Sequence, residues 1–109
     1  DFGQASLLHK DIHQGHFFVQ GSDVTGIIDL GSIMAGDTRH DIAMSLVFQN
    51  SRQQEHFKKG YNNDLVNDPM VNKYMITIII RKLFFRSKEE VKGNIDKLLS
   101  PLKEALEKI

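Results

Sequence analysis

Three histidines and two aspartates lie close together in the first third of this 109-residue chain: His9, Asp11, His13, His16 and Asp29. Carboxylate and imidazole groups that converge could hold a divalent cation and leave one carboxylate to act as a base. The same residues could instead be polar strand ends that face water, and their spacing alone does not separate the two alternatives. The chemistry therefore depends on how the surrounding elements place them.

The segments around these residues predict a small β unit. Strands are expected at residues 6–9, 17–20 and 25–28. Gly21 and Asp23 lie between the last two strands, which favours a hairpin because its turn needs residues that tolerate positive φ. If the strands pair, Asp29 returns to the space beside Asp11 and His16.

From Asp37 onward the apolar spacing changes to that of amphipathic helices. Asp37 is a good N-cap for the first helix, whose Ile42 and Leu46 share one face. Further helices are predicted over 52–59 with Gly60 as the left-handed end, from Asp68-Pro69 to about Arg86, after a capping box at 87–90, and from Ser100-Pro101 onward. The helix from Pro69 is expected at the centre of the core, with Ile78 and Ile79 on its buried face. The fold class is therefore α+β, with loops and short strands over 1–36 and a mostly helical part over 37–109.

Composition argues against several classes of protein. Fourteen basic and fourteen acidic side chains balance, so no overall field favours nucleic acid or a membrane surface. The chain has no cysteine, which excludes thiolate metal sites within it and is compatible with the cytoplasmic location that we expect. Its longest apolar run is far shorter than the roughly 20 residues of a membrane span.

Residues 7–43 resemble the catalytic segment of the aminoglycoside phosphotransferase family, whose pattern runs H-G-D-x-x-x-x-N/H, then I-D, then G-D-x-x-x-D-L-A. The matching residues are His9, Asp11 and His16, then Ile28-Asp29, then Gly36, Asp37, Asp41, Ile42 and Ala43. Phe57 and Gly60-Tyr61 also resemble the F-x-x-G-Y end of a helix in that family. The resemblance covers roughly residues 6–61 and is specific because the separate pieces occur together in the same order.

The resemblance implies part of a kinase-like C-terminal lobe and assigns roles residue by residue. Asp11 would accept or orient the proton of a substrate hydroxyl, while His16 and Asp29 would bind Mg²⁺ on the phosphates of ATP or GTP. His9 would brace the catalytic loop, and Asp41 would accept hydrogen bonds from its backbone. For Asp41 the alternative is a solvated carboxylate favoured by the helix dipole.

Two residues depart from the commonest pattern of that family. His16 stands where asparagine is usual, which resembles the aminoglycoside 2''-phosphotransferase and macrolide phosphotransferase branches. Lys10 stands where glycine is usual, and we expect its side chain to point to solvent. His13 is expected to be an ordinary loop residue.

The sequence contains no G-x-G-x-x-G motif and no P-loop, and only about eight residues precede the catalytic loop. We therefore expect a fragment that needs the N-terminal nucleotide lobe of the same protein and is inactive alone. The implied reaction moves a nucleotide γ-phosphate to a small-molecule hydroxyl, with an aminoglycoside, a macrolide, a sugar or an amino alcohol as the acceptor. A non-catalytic kinase-like scaffold and a metal-dependent hydrolase are the alternatives.

Overall fold

The computed structural model describes residues 4–88 and 96–108. These residues form an α+β fold, as the sequence predicts, with short antiparallel strand pairs followed by a helical bundle. The strands are β1 (Ser6–Leu8), β2 (Phe17–Gln20), β3 (Asp23–Ile27) and β4 (Met34–Gly36), and the helices are α1 (Thr38–Leu46), α2 (Ser51–Tyr61), α3 (Pro69–Lys88) and α4 (Asp96–Glu107). Short 3₁₀ turns occur at Gln14–His16, Leu30–Ser32 and Asp64–Asn67.

The strands pair in two separate antiparallel ladders. β1 pairs with β4, with Leu8 opposite Met34, and β2 pairs with β3. The predicted hairpin is confirmed, but β3 begins at Asp23, before the expected residue 25, because the turn needs only two residues. Gly21 supplies the left-handed conformation in that turn, with φ of 61°.

The hydrophobic core lies among the helices. Asp37 caps α1, as predicted, by accepting a hydrogen bond from the Arg39 amide. The core residues come from α1, α3, α4 and the 3₁₀ turn before α3, and they are Ile42, Ala43, Leu46, Val47, Val66, Val71, Ile78, Ile79 and Ala105. α3 runs through this cluster, as predicted, and starts at Pro69 with the Asp68 side chain accepting from the Met70 amide.

The predicted end of α2 is wrong. The helix continues through Gly60 to Tyr61, and the left-handed residue that follows is Asn62, with φ of 50°. Asparagine tolerates this conformation, so the helix does not need a glycine at that position. At the other end, Asn50 and Gln53 form a capping box.

The predicted start of the last helix is also wrong. α4 begins at Asp96, and Pro101 lies inside it. Proline removes one helical hydrogen bond and crowds the carbonyl one turn earlier. Contact with α3 offsets this cost, since Ala105 is buried and its carbonyl accepts from Asn72 Nδ2 at 2.6 Å. The predicted capping box at 87–90 lies partly outside the described residues.

Across residues 4–88 and 96–108, none of the helices is both long enough and apolar enough to cross a membrane.

Candidate active site

His16 connects the predicted catalytic loop, residues 9–16, to the loop after β3. Its backbone carbonyl accepts a hydrogen bond from the Ile28 amide at 2.9 Å, which brings Asp29 to its side. Its ring Nδ1 lies 2.7 Å from the Asp11 carbonyl, and its Nε2 lies 3.2 Å from Asp29 Oδ2. The structure therefore brings His16 next to both aspartates, with Asp11 contacted at its backbone and Asp29 at its carboxylate.

The two ring contacts of His16 restrict what lies between His16 and Asp29. The Asp11 carbonyl only accepts, so Nδ1 carries the proton. In a neutral ring the Nε2 lone pair then faces the Asp29 carboxylate, and two acceptors at 3.2 Å repel each other. A protonated imidazole or a shared cation removes this repulsion, and an imidazole whose other nitrogen donates to a carbonyl is a common arrangement for a metal ligand. The pair of side chains therefore fits a divalent cation.

His9 holds the catalytic loop to the end of β3. It is 8% exposed, and its Nδ1 accepts from the Asp11 amide at 3.2 Å while its Nε2 contacts the Ile28 carbonyl at 2.8 Å. One neutral tautomer, with the proton on Nε2, satisfies both contacts. Asp11 is thus held at both backbone groups, its amide by His9 and its carbonyl by His16.

Asp41 lies in the first turn of α1 and accepts from the loop backbone. The amides of His9 and Lys10 donate to its two carboxylate oxygens at 2.6 and 3.0 Å. Burial acts to raise the pKa of Asp41, but the nearby His40 ring and these two amides outweigh burial and lower it. His40 Nδ1 stands 3.8 Å from the carboxylate, so it contributes attraction at a distance beyond a hydrogen bond.

Backbone strain is concentrated beside these residues. Within the described ranges, the residues other than glycine with positive φ are Lys10 at 72°, Asp29 at 63° and Asn62 at 50°. Lys10 lies in the predicted catalytic loop, and Asp29 is itself a candidate metal ligand. Strained positions of this kind cluster at functional sites. The positive φ explains why glycine is usual at the position of Lys10 in the family that the sequence resembles. The sequence alone did not predict this strain.

Comparison with protein families decides the relationship. The profile of the phosphotransferase enzyme family matches residues 3–69, which is more than half of the chain. The chain belongs to this family. A phosphotransferase type of function follows from membership. Neither the comparison with curated proteins nor that with solved structures finds a significant match.

His13, expected to be an ordinary loop residue, has its ring beside the candidate site residues Asp11 and His16. The ligand atoms of Asp11, His13 and His16 all lie within 4.8 Å of one another, and the His13 and His16 rings are 3.6 Å apart between centroids. His13 Nδ1 accepts from the Gly15 amide at 3.1 Å, so a neutral ring carries its proton on Nε2 and presents a donor. Asp29 is not part of this cluster and reaches it through His16.

A second polar network connects the N-terminal ends of α1 and α3. Arg39 donates to Asp37 at 2.8 Å and to Asp68 at 3.2 Å, and the Tyr74 hydroxyl donates to Asp37 at 3.1 Å. The hydrogen bonds from Arg39 lower the pKa of Asp37 despite burial. Burial, and then the neighbouring Asp37, raise the pKa of Tyr74. The network joins the start of α1 to the start of α3. The capping residues Asp37 and Asp68 were predictable from the sequence, whereas their contacts with Arg39 and Tyr74 were not.

Asp11 lines a cleft between the catalytic loop and α3. The cleft has a volume of about 530 Å³, which lies within the range of small-molecule sites. Asp29 is not among the residues that line it. The cleft therefore lies beside Asp11, and Asp29 lies outside it.

Proposed function

We propose that the protein transfers the γ-phosphate of ATP or GTP to a hydroxyl group of a small molecule. The observation that carries this proposal is the His16 bridge, which joins the Asp11 backbone to the Asp29 carboxylate. It supports a site in which a base and a cation-binding pair are held together across two hydrogen-bonded loops, as phosphoryl transfer requires.

Asp11 is the residue that would meet the acceptor. Asp11 borders the cleft, and its backbone is fixed by His9 on one side and His16 on the other. An ionised carboxylate accepts a hydrogen bond from an alcohol and takes up its proton as the oxygen attacks phosphorus. Fixing the backbone on both sides limits how far this carboxylate can turn away.

Asp29 and His16 would hold Mg²⁺, which supplies charge neutralisation on the nucleotide phosphates. The support is the donor set itself, since a carboxylate oxygen and an imidazole nitrogen that face each other with opposed lone pairs suit a cation. Asp41 would act indirectly, by holding the backbone of the loop that carries Asp11.

The nucleotide would be gripped by a further lobe of the parent protein. The chain itself carries no P-loop and no G-x-G-x-x-G motif. His16 in place of asparagine favours the aminoglycoside 2''-phosphotransferase and macrolide phosphotransferase branches of the family. An antibiotic acceptor is what this resemblance implies, and the charge of the cleft lining, considered below, argues against a polycationic one.

Nucleotide binding by the full-length protein tests this function. We expect Mg²⁺ with ATP or GTP to raise the melting temperature, and we expect Asp29→Asn to remove the part of that shift that needs Mg²⁺. Asp11→Asn should retain the shift but lower phosphate transfer by about 10²-fold or more. Asp23→Asn, at the exposed start of β3, is the matched control and should change neither property.

Two results contradict the proposal. Turnover that survives in both Asp11→Asn and Asp29→Asn removes the mechanism. A protein that binds no nucleotide with or without Mg²⁺ is better described as a non-catalytic kinase-like scaffold.

A further inference from the structure

The cleft beside Asp11 has a basic and apolar lining. It is lined by Lys10, Asp11, Ser32, Met34, His40, Met44, Thr77, Ile78, Arg81, Lys82 and Phe85. Three of these side chains are Lys or Arg cations, and Asp11 is the one carboxylate among them. A partly enclosed cleft with this balance attracts anions and repels cations.

Lys10 and Arg81, two of the three cations that line the cleft, have no carboxylate partner among the side chains that the structure describes, those of residues 4–85 and 99–108. The Lys10 ammonium lies 3.4 Å from His40 Nε2, a neutral acceptor when Nδ1 carries the proton. Arg81 is exposed and packs over the Phe85 ring at 5.8 Å. Both cations therefore keep donors for a bound anion.

Apart from the polar side chains of Ser32, His40 and Thr77, the remaining wall of the cleft is apolar and adaptable. Met34 comes from β4, Met44 from α1, and Ile78 and Phe85 from α3. Methionine side chains bend to fit irregular apolar surfaces. A ligand that satisfies the whole lining must have an apolar body as well as a negative charge.

We infer that this cleft binds the acceptor, and that the acceptor is an amphipathic hydroxy acid. Its hydroxyl lies at Asp11, its anionic group lies at Arg81 and Lys10, and its apolar body packs on Met34 and Met44. The position of the hydroxyl rests on the proposed function, whereas the preference for an anion rests on the lining alone. A polycationic aminoglycoside does not fit this lining, because it would bring positive charge against Lys10 and Arg81.

Binding of a matched set of probes tests the inference. The probes are ω-hydroxyoctanoate, its uncharged amide and the amino alcohol of the same length, titrated into the full-length protein without nucleotide. We expect the acid to bind about tenfold more tightly than the amide, which corresponds to one favourable charged contact of about 1.4 kcal/mol. The amino alcohol should bind most weakly.

Substitutions then locate the preference in the cleft. Arg81→Gln should bring the affinity of the acid close to that of the amide, and Lys10→Gln should act in the same direction. Arg52→Gln is the matched control, because Arg52 is exposed on α2 and does not line the cleft. Asp11→Asn should tighten binding of the acid, because Asp11 is the one carboxylate that the described residues contribute to the lining.

Several outcomes overturn the inference. One is equal binding of acid and amide, and another is tighter binding of the amino alcohol. A third is that Arg81→Gln weakens ATP binding while leaving the hydroxy acid unaffected, since the cleft would then hold nucleotide phosphates. Loss of the proposed function alone gives a different result, in which the acid still binds preferentially but the protein neither binds nucleotide nor transfers phosphate.

Discussion

Lys10 occupies a backbone conformation that its own side chain disfavours. Its φ is 72°, and the left-handed region costs a residue with a Cβ about 1–2 kcal/mol. The conformation persists because it aims the amides of His9 and Lys10 at the Asp41 carboxylate. The hydrogen bonds that fix the catalytic loop therefore maintain local strain at one residue.

Lys10→Gly should stabilise the protein. Glycine adopts positive φ without a Cβ penalty but loses more backbone entropy on folding, so the net gain should be about 0.5–1 kcal/mol. The free energy of unfolding in urea measures this difference, and the denaturant slope should not change.

Two variants separate backbone strain from charge. Lys10→Ala removes the ammonium but keeps a Cβ, so it should leave stability nearly unchanged. Lys59→Gly puts the same substitution within α2, where it should cost about 0.5–1 kcal/mol. If Lys10→Ala stabilises as much as Lys10→Gly, the charge is responsible and strain is not.

The sequence identified the residues of the candidate site by their types and spacing, but not their contacts. The five-residue step from Asp11 to His16 placed both on one loop, and their catalytic and metal-binding roles stay predictions. Spacing does not reveal which ring nitrogen of a histidine carries the proton, because that depends on carbonyls brought in from Ile28 and from Asp11 itself. Spacing also does not show where a loop side chain points, so the sequence did not predict that the His13 ring joins Asp11 and His16.

At the scale of elements, the end of α2 illustrates how a local signal competes with its neighbours. Gly60 is a strong stop signal in a sequence, yet two residues later Asn62 also tolerates left-handed φ. The helix extends to use Asn62, which closes it through a hydrogen bond from its amide to the Lys58 carbonyl at 3.2 Å. The sequence also placed Pro101 at the start of the last helix, whereas it lies inside α4. Packing of α4 on α3 involves residues distant in sequence, which a local signal does not reveal.

Gly60→Ala should therefore stabilise the protein. Gly60 lies inside α2, and a Cβ added there meets nothing within 4 Å. Alanine in an exposed helical position is favoured over glycine by about 0.5–1 kcal/mol. Thermal unfolding of the variant checks the sign, and Gly21→Ala is the control because Gly21 has positive φ and should lose stability. If Gly60→Ala is destabilised, Gly60 adopts positive φ in solution and ends the helix there.

The junction of α1 and α3 should make stability depend on acid pH. The pKa of Asp37 is lower in the folded protein than its unfolded value of about 3.9. Its contribution is therefore present above that value and is lost as pH falls through the folded pKa. Asp41, whose pKa is also lowered, acts in the same direction. Unfolding in urea should show stability falling steeply below about pH 4.

Arg39→Gln tests the cause of this dependence. It removes the side chain that lowers the pKa of Asp37 most, so the variant should be less stable at neutral pH and should lose less stability on acidification. The two stability curves should converge as pH falls. Curves that stay parallel from neutral to acid pH would show that Arg39 does not carry the effect.

At the scale of the whole molecule, the core depends on α3. Two successive isoleucines of this helix differ in burial. Ile79 is fully buried among α1, α3 and α4, whereas Ile80 is 53% exposed. Periodicity in the sequence predicted that α3 is central, and it placed Ile78 and Ile79 on the buried face. The helix therefore offers an internal comparison in which residue type and propensity are equal and burial differs.

Ile79→Ala should cost about 2–5 kcal/mol, because it removes buried methyl groups and leaves a cavity among α1, α3 and α4. Ile80→Ala should stay within about 0.5 kcal/mol, as is usual for substitutions at exposed positions. Urea unfolding of the two variants, measured at the same pH, gives the difference directly. Equal losses would mean that Ile80 is also buried in the intact protein, and equal tolerance would mean that α3 does not form the centre of the core.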